Sequence, residues 1–135
     1  MLFLPARKMQ RKKILLVDDS PTAILRQRMI LEEEPYDILV AADGEECLRL
    51  AREQRPDLIL LDVVMPHMDG FEALRALRAD ESLRGLPILM VTTRTELDDV
   101  VTGYERGANE YITKPVDPAE LLAKVRSCLL AAGRT

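Results

Sequence analysis

Several short apolar runs of the chain lead directly into residues that carry charge or a hydroxyl. Run 13–17 is followed by Asp18-Asp19, run 58–61 by Asp62, run 87–91 by Thr92-Thr93 and run 110–113 by Lys114-Pro115. If these runs are neighbouring strands, three carboxylates, a hydroxyl and an ammonium converge in one crevice. Two carboxylates about 4 Å apart repel by roughly 4 kcal/mol at an effective dielectric near 20, so three of them call for a cation. Oxygen-only ligands suit a hard divalent ion, and a few carboxylates completed by water suit Mg2+. Beside a lysine and a hydroxyl, a metal-bound carboxylate makes a site for a phosphoryl group, with a carboxylate available as nucleophile. No Gly-x-x-x-x-Gly-Lys-Ser/Thr loop occurs, which argues against a nucleotide P-loop. Asp18 and Asp19 would also repel a flavin phosphate at the first turn unless a metal intervened.

The runs and the segments between them supply the positioning elements. Runs 13–17, 37–41, 58–61 and 87–91 are nearly continuous in Ile, Leu and Val, as in strands buried on both faces of a parallel sheet; run 110–113 is shorter and mixed, like an edge. Helical patterns alternate with them. Ser20-Pro21 opens the first and Pro35 stops it after Glu34. Asp43 with Glu46 and Asp69 with Glu72 open the second and third. Thr95 with Asp98 opens a fourth that ends near Gly107, and Asp117-Pro118 opens a fifth with Leu121, Leu122, Val125, Cys128 and Leu129 as its buried stripe. The pattern is α/β, a (βα)5 doubly wound five-stranded parallel sheet with ligands expected at the carboxyl ends of the strands.

Composition narrows the function classes. The 135 residues suit one domain, 47% are apolar and 31% charged, and no run reaches the length of a membrane span. The formal charge of −4 gives no global attraction to nucleic acid, and the basic run Arg7, Lys8, Arg11, Lys12, Lys13 reads as a solvated leader. Its order, apolar residues before basic ones, is the reverse of a secretory signal. Cys47 and Cys128 lie far apart and read as small core residues in a reducing cytoplasm. The expected layout is a leader over 1–11, a domain over 12–131 and a tail over 132–135.

Four segments together carry a specific likeness: Lys13-Ile-Leu-Leu-Val-Asp-Asp-Ser20, Leu60-Leu-Asp-Val-Val-Met-Pro-His-Met-Asp-Gly70, Met90-Val-Thr-Thr93 and Gly107-Ala-Asn-Glu-Tyr-Ile-Thr-Lys-Pro115. Over 12–131 the chain resembles a response-regulator receiver domain of two-component signalling, most of all the single-domain chemotaxis-type regulators. The resemblance implies a flavodoxin-like strand order 2-1-3-4-5 and a signalling switch, not an enzyme acting on other substrates, that catalyses its own phosphorylation and dephosphorylation. It implies Asp62 as phosphoacceptor from the phosphohistidine of a histidine kinase or histidine phosphotransfer domain. Asp19, Asp62 and the Val64 backbone carbonyl would bind Mg2+, with Asp18 acting through water. Lys114 would contact a phosphoryl oxygen, Thr92 would sense the phosphoryl group, and Tyr111 would turn inward as Thr92 shifts. The Lys114–Pro115 bond is expected to be cis.

Val64, two residues after the acceptor, is apolar and cannot orient an attacking water; Arg94, two after Thr92, can hold or shield a phosphoryl group. Both positions tune dephosphorylation in the family. His67, Met65 and Met68 read as loop and packing residues, and Glu32-Glu33-Glu34 as a solvated helix end. The output is expected to be a contact with a downstream target protein through the fourth helix, fifth strand and fifth helix, without direct nucleic-acid binding or membrane insertion. Thr102 and Ala119 stand where dimerising transcriptional receivers carry basic residues. The alternatives are a receiver fragment of a larger hybrid kinase or effector, and a small Mg2+-dependent phosphatase with an aspartate nucleophile. The phosphatase needs Asp-x-Asp at a strand end, which Asp18-Asp19-Ser20 does not supply.

Overall fold

The computed structural model describes residues 11–65, 67–93, 101–102 and 107–132. Five parallel strands, β1 (Lys13–Val17), β2 (Asp37–Ala41), β3 (Leu58–Asp62), β4 (Ile88–Thr92) and β5 (Glu110–Thr113), lie in the order β2-β1-β3-β4-β5. Helices α1 (Pro21–Leu31), α2 (Gly44–Gln54), α3 (Gly70–Ala79) and α4 (Pro118–Ala132) connect or follow them, with a 3-10 turn at Glu81–Leu83. Alternate strand residues point to opposite faces, so each strand feeds two cores. Leu15, Val17, Ile59, Leu61 and Met90 pack with Cys47, Ala51, Leu74 and Leu77 of α2 and α3. Ile14, Leu16, Leu60, Leu89 and Val91 pack with Ile24 and Leu31 of α1 and Leu121 and Val125 of α4. Both cysteines are free and buried, as small core residues.

The helix openings follow the capping chemistry. Ser20 Oγ accepts from Ala23 N with Pro21 in the first turn, Asp43 accepts from Glu46 N, and Asp69 with Glu72 forms a reciprocal capping box. Two details depart from the sequence reading. Helix α1 ends at Leu31, and Glu32 to Glu34 follow as a turn in which Glu34 N donates to Leu31 O. Three acidic side chains at the negative end of a helix dipole oppose its extension. Strand β2 lies at the edge of the sheet, as the order 2-1-3-4-5 implies, so its apolar run is not buried on both faces, and Val40 is 36% exposed there. The helix expected to open at Thr95 lies outside the described residues except for Val101 and Thr102, which are helical.

At the opposite end of the sheet from the strand termini of interest, Arg78 joins three segments. Its guanidinium donates to the carbonyls of Gly107, Arg84 and Leu86 and to Asn109 Oδ1, at 2.6–2.9 Å. Asn109 Oδ1 also accepts from Ile88 N at 2.8 Å, which pins the start of β4. Gly107 has φ +102°, and a Cβ there would approach Arg78 Nε to 3.0 Å. Only a planar fork of donors serves three carbonyls at once. Arg78→Lys should therefore destabilise the fold by about 2 kcal/mol, read as a lower urea midpoint with unchanged slope.

Candidate functional site

The carboxyl ends of β1 and β3 sit side by side, with Val17 in register with Leu61. Asp18, Asp19 and Asp62 consequently each place a carboxylate oxygen within 4.8 Å of the others. Asp18 and Asp62 are buried and Asp19 is exposed, so the cluster opens to solvent through Asp19. Asp18 is held at both oxygens, by Ser20 N at 2.9 Å and by Lys114 Nζ at 2.6 Å. Lys114 Nζ also reaches Asp62 Oδ1 at 3.2 Å, so one ammonium bridges two carboxylates.

Lys114 arrives there because its own backbone extends the sheet. Its N–H donates to Thr92 O at 2.7 Å, and the Lys114–Pro115 peptide is cis. Two residues on, Val116 O accepts from Arg26 of α1 at 2.9 Å. No local pattern points to this Arg26 contact, since it joins residues 90 positions apart. The Asp62 side has an equally tight support. Gly70 N donates to Val63 O, and a Cβ on Gly70 would fall 2.1 Å from Asp62 O. Gly70 therefore lets α3 start against the backbone of Asp62, a requirement its place in the Met-Asp-Gly segment leaves unexplained.

Burial, then the neighbouring Asp18 carboxylate, pushes the Asp62 carboxyl up to about 6; Lys114 pulls in the other direction without prevailing, and Asp19 adds to the rise. Burial works to lower the Lys114 ammonium, but its bond to Asp18 and the charges of Asp62 and Asp18 outweigh this and raise it. The donor set is all oxygen, carries more negative charge than one ammonium neutralises, and keeps an exposed carboxylate. This fits a hard divalent cation with retained waters.

Thr92 ends β4 fully buried, beside the Asp62 strand end. Tyr111, opposite Met90 in the register, is 9% exposed and belongs to the core shared with α2 and α3. Its ring is thus already inward in this structure. Lys124 of α4 donates to the Tyr111 carbonyl and pairs with Glu110 and Glu120. Val64 is 51% exposed. His67 is an exposed loop residue with φ 69°, a region His tolerates better than most residues. Met65 is buried and Met68 packs over Gly44. Arg94 lies outside the described residues.

The profile of the response regulator receiver domain matches residues 14–126. The chain belongs to that family. Among curated proteins, this receiver is 45% identical over 119 residues to the DNA-binding response regulator MtrA of Mycolicibacterium smegmatis, covering 88% of the chain and 51% of that protein. It spans about half the length of such relatives. It is also 40% identical over 117 residues to protein PilH of Pseudomonas aeruginosa, covering 87% of the chain and 97% of PilH. Among solved structures, the chemotaxis response regulator CheY4 of Vibrio cholerae superposes with TM-score 0.83 at 37% identity, over 89% of this chain and all of that one. The receiver domain of a signal transduction histidine kinase from Syntrophus aciditrophicus gives 0.84 at 39%, over 92% and 94% of the two chains. No helix among the described residues is long and apolar enough to cross a membrane.

The raised Asp62 carboxyl has a consequence for stability. Between its ordinary value near 3.8 and about 6, the folded chain holds a proton that the unfolded chain releases, so stability falls as pH rises through this window. In chelator, Asp62→Asn should raise the melting temperature at pH 7.5 by roughly 4 °C, the equivalent of about 1 kcal/mol left after solvent screening. At pH 4 the gain should largely disappear, as scanning calorimetry at the two pH values would register.

Proposed function

We propose that this receiver takes a phosphoryl group on Asp62 from the phosphohistidine of a histidine kinase or histidine phosphotransfer domain, and thereby switches a protein-binding surface. The observation that carries this reading is the single ammonium of Lys114 set between Asp18 and Asp62 at the edge of a receiver sheet. Asp62 attacks phosphorus; an O–P bond forms, the P–N bond breaks, and its electron pair stays on the imidazole nitrogen, which is neutral on leaving if its ring was protonated. Lys114 holds a phosphoryl oxygen as charge accumulates there. Asp19 and Asp62 with the Val64 carbonyl, and Asp18 through water, would hold Mg2+, which when bound neutralises charge on the phosphoryl oxygens. The receiver's own residues organise this transfer and its reversal by water. The domain proper runs over 12–131, between the leader and a short tail, and works in the cytoplasm.

Two output arrangements follow from the relatives. PilH is matched over nearly its whole length, which supports a receiver acting alone on a downstream protein. MtrA is matched over half its length, which supports a receiver belonging to a longer regulator. In either arrangement Thr92 and Tyr111 act as a pair that biases an existing equilibrium, and about 1.4 kcal/mol shifts it tenfold. The output face comprises the segment around Val101 and Thr102, β5 and α4.

Incubation with acetyl phosphate and Mg2+ should give a labile phosphoryl adduct on Asp62, located by mass spectrometry. Asp62→Asn should abolish it, and Asp19→Ala should weaken Mg2+ binding at least tenfold by calorimetry. Persistent labelling of the Asp62→Asn chain would reject the assignment. Thr92→Ala should still accept phosphate, yet the NMR shifts that phosphorylation induces at Tyr111 and β5 should shrink severalfold. Equal shifts in both proteins would mean that the signal leaves by another route.

A further inference from the structure

The outward face of α1 carries an apolar stripe with no cover among the described residues. Leu25 and Met29, one turn apart, are 58% and 61% exposed. They border a groove of about 460 Å³ whose other walls include Arg26, Ile30, Glu33 and Pro118, so it runs from the acidic end of α1 to the start of α4. Below it, Glu32 and Glu33 are exposed and form no ion pair among the described residues, whereas Glu34 is taken by Arg126. Arg26 turns its guanidinium to the Val116 carbonyl, so the groove is apolar at Leu25 and Met29 and negative at its Glu32–Glu33 end.

The chain contains one segment with the complementary order. Reading back from β1, Lys8 and Arg7 come first and Leu4, Phe3 and Leu2 follow. Lys12 O accepts from Asp37 N, so the segment departs only four residues from Glu33, at most about 14 Å along the chain. The four or five residues between Lys12 and the Lys8-Arg7 pair span that distance. A further four residues reach Phe3, enough to climb the roughly 6 Å and 12 Å from Glu33 to Met29 and Leu25 along the helix.

We propose that residues 2–8 of this chain dock on α1, with Arg7 and Lys8 against Glu32 and Glu33, and with Phe3 and its leucine neighbours over Met29 and Leu25. The leader is thus a built-in cover for this face, in place of the solvated tail its composition predicts. Seated there, it obliges a macromolecule that approaches over α1 to displace it, while a small phosphodonor reaches Asp62 unhindered. The docking depends on no step of the phosphoryl chemistry.

NMR of the full chain with labelled Met29 and Leu25 methyl groups tests the contact. Cross-peaks from the Phe3 ring to both residues are expected. Arg7→Glu with Lys8→Glu should weaken them severalfold, and adding Glu32→Lys with Glu33→Lys should restore them, which unspecific stickiness of an apolar tail would not do. Absence of the cross-peaks, their appearance on another face, or indifference to charge reversal would overturn the proposal. So would cross-peaks found between labelled and unlabelled chains in a mixed sample, since the occupant would then be a second copy.

Discussion

Three carboxylates within 4.8 Å of one another repel, and the receiver holds two of them, Asp18 and Asp62, in place. Asp18 is fixed at both oxygens by Ser20 N and Lys114. Asp62 is fixed through a strand flanked on both sides by neighbours. Burial first and then the Asp18 charge raise the Asp62 carboxyl, and one ammonium offsets them only in part. An incoming cation or phosphoryl group therefore meets a site whose charges are already in place and need no assembly on arrival.

This crowding depends on packing well away from the charges. Buried strands with continuous apolar runs allow β1 and β3 to lie adjacent, with helices covering both faces. The cross-links to Lys114 come from different layers: the backbone of β4 through Thr92 O, and α1 through Arg26 to Val116. At the far edge, Arg78 gathers α3, the approach to β4 and the approach to β5 onto one guanidinium. Position at the site is thus a property of the whole sheet.

Much of this was readable from the residues. Strand ends and helix caps are local in sequence, so Asp18, Asp19, Asp62 and Lys114 could be brought to one edge once the alternation of elements was recognised. What escaped were features set by distant partners. The apolar run of β2 reads as buried on both faces, and its exposure follows only from the pairing order, which the family resemblance implied and the run itself does not show. The short α1 reflects the charge of three consecutive glutamates more than the Pro35 that follows them. Gly70 and Arg78 look ordinary in sequence, since their roles arise from a backbone carbonyl and a set of carbonyls supplied by other elements. The inward Tyr111 ring belongs to a core whose other members come from α2, α3 and four strands.

The contact at Gly70 also determines where the molecule can give. With α3 seated against the carbonyl of Asp62, and β1 and β4 on either side, the end of β3 is enclosed on three sides. Strands β2 and β5 each have a single neighbour in the sheet, and β5 is the one paired with the strand that ends in Thr92. The arrangement resembles a vice with one fixed jaw at α3, so a load introduced at Asp62 would have to pass sideways along the sheet.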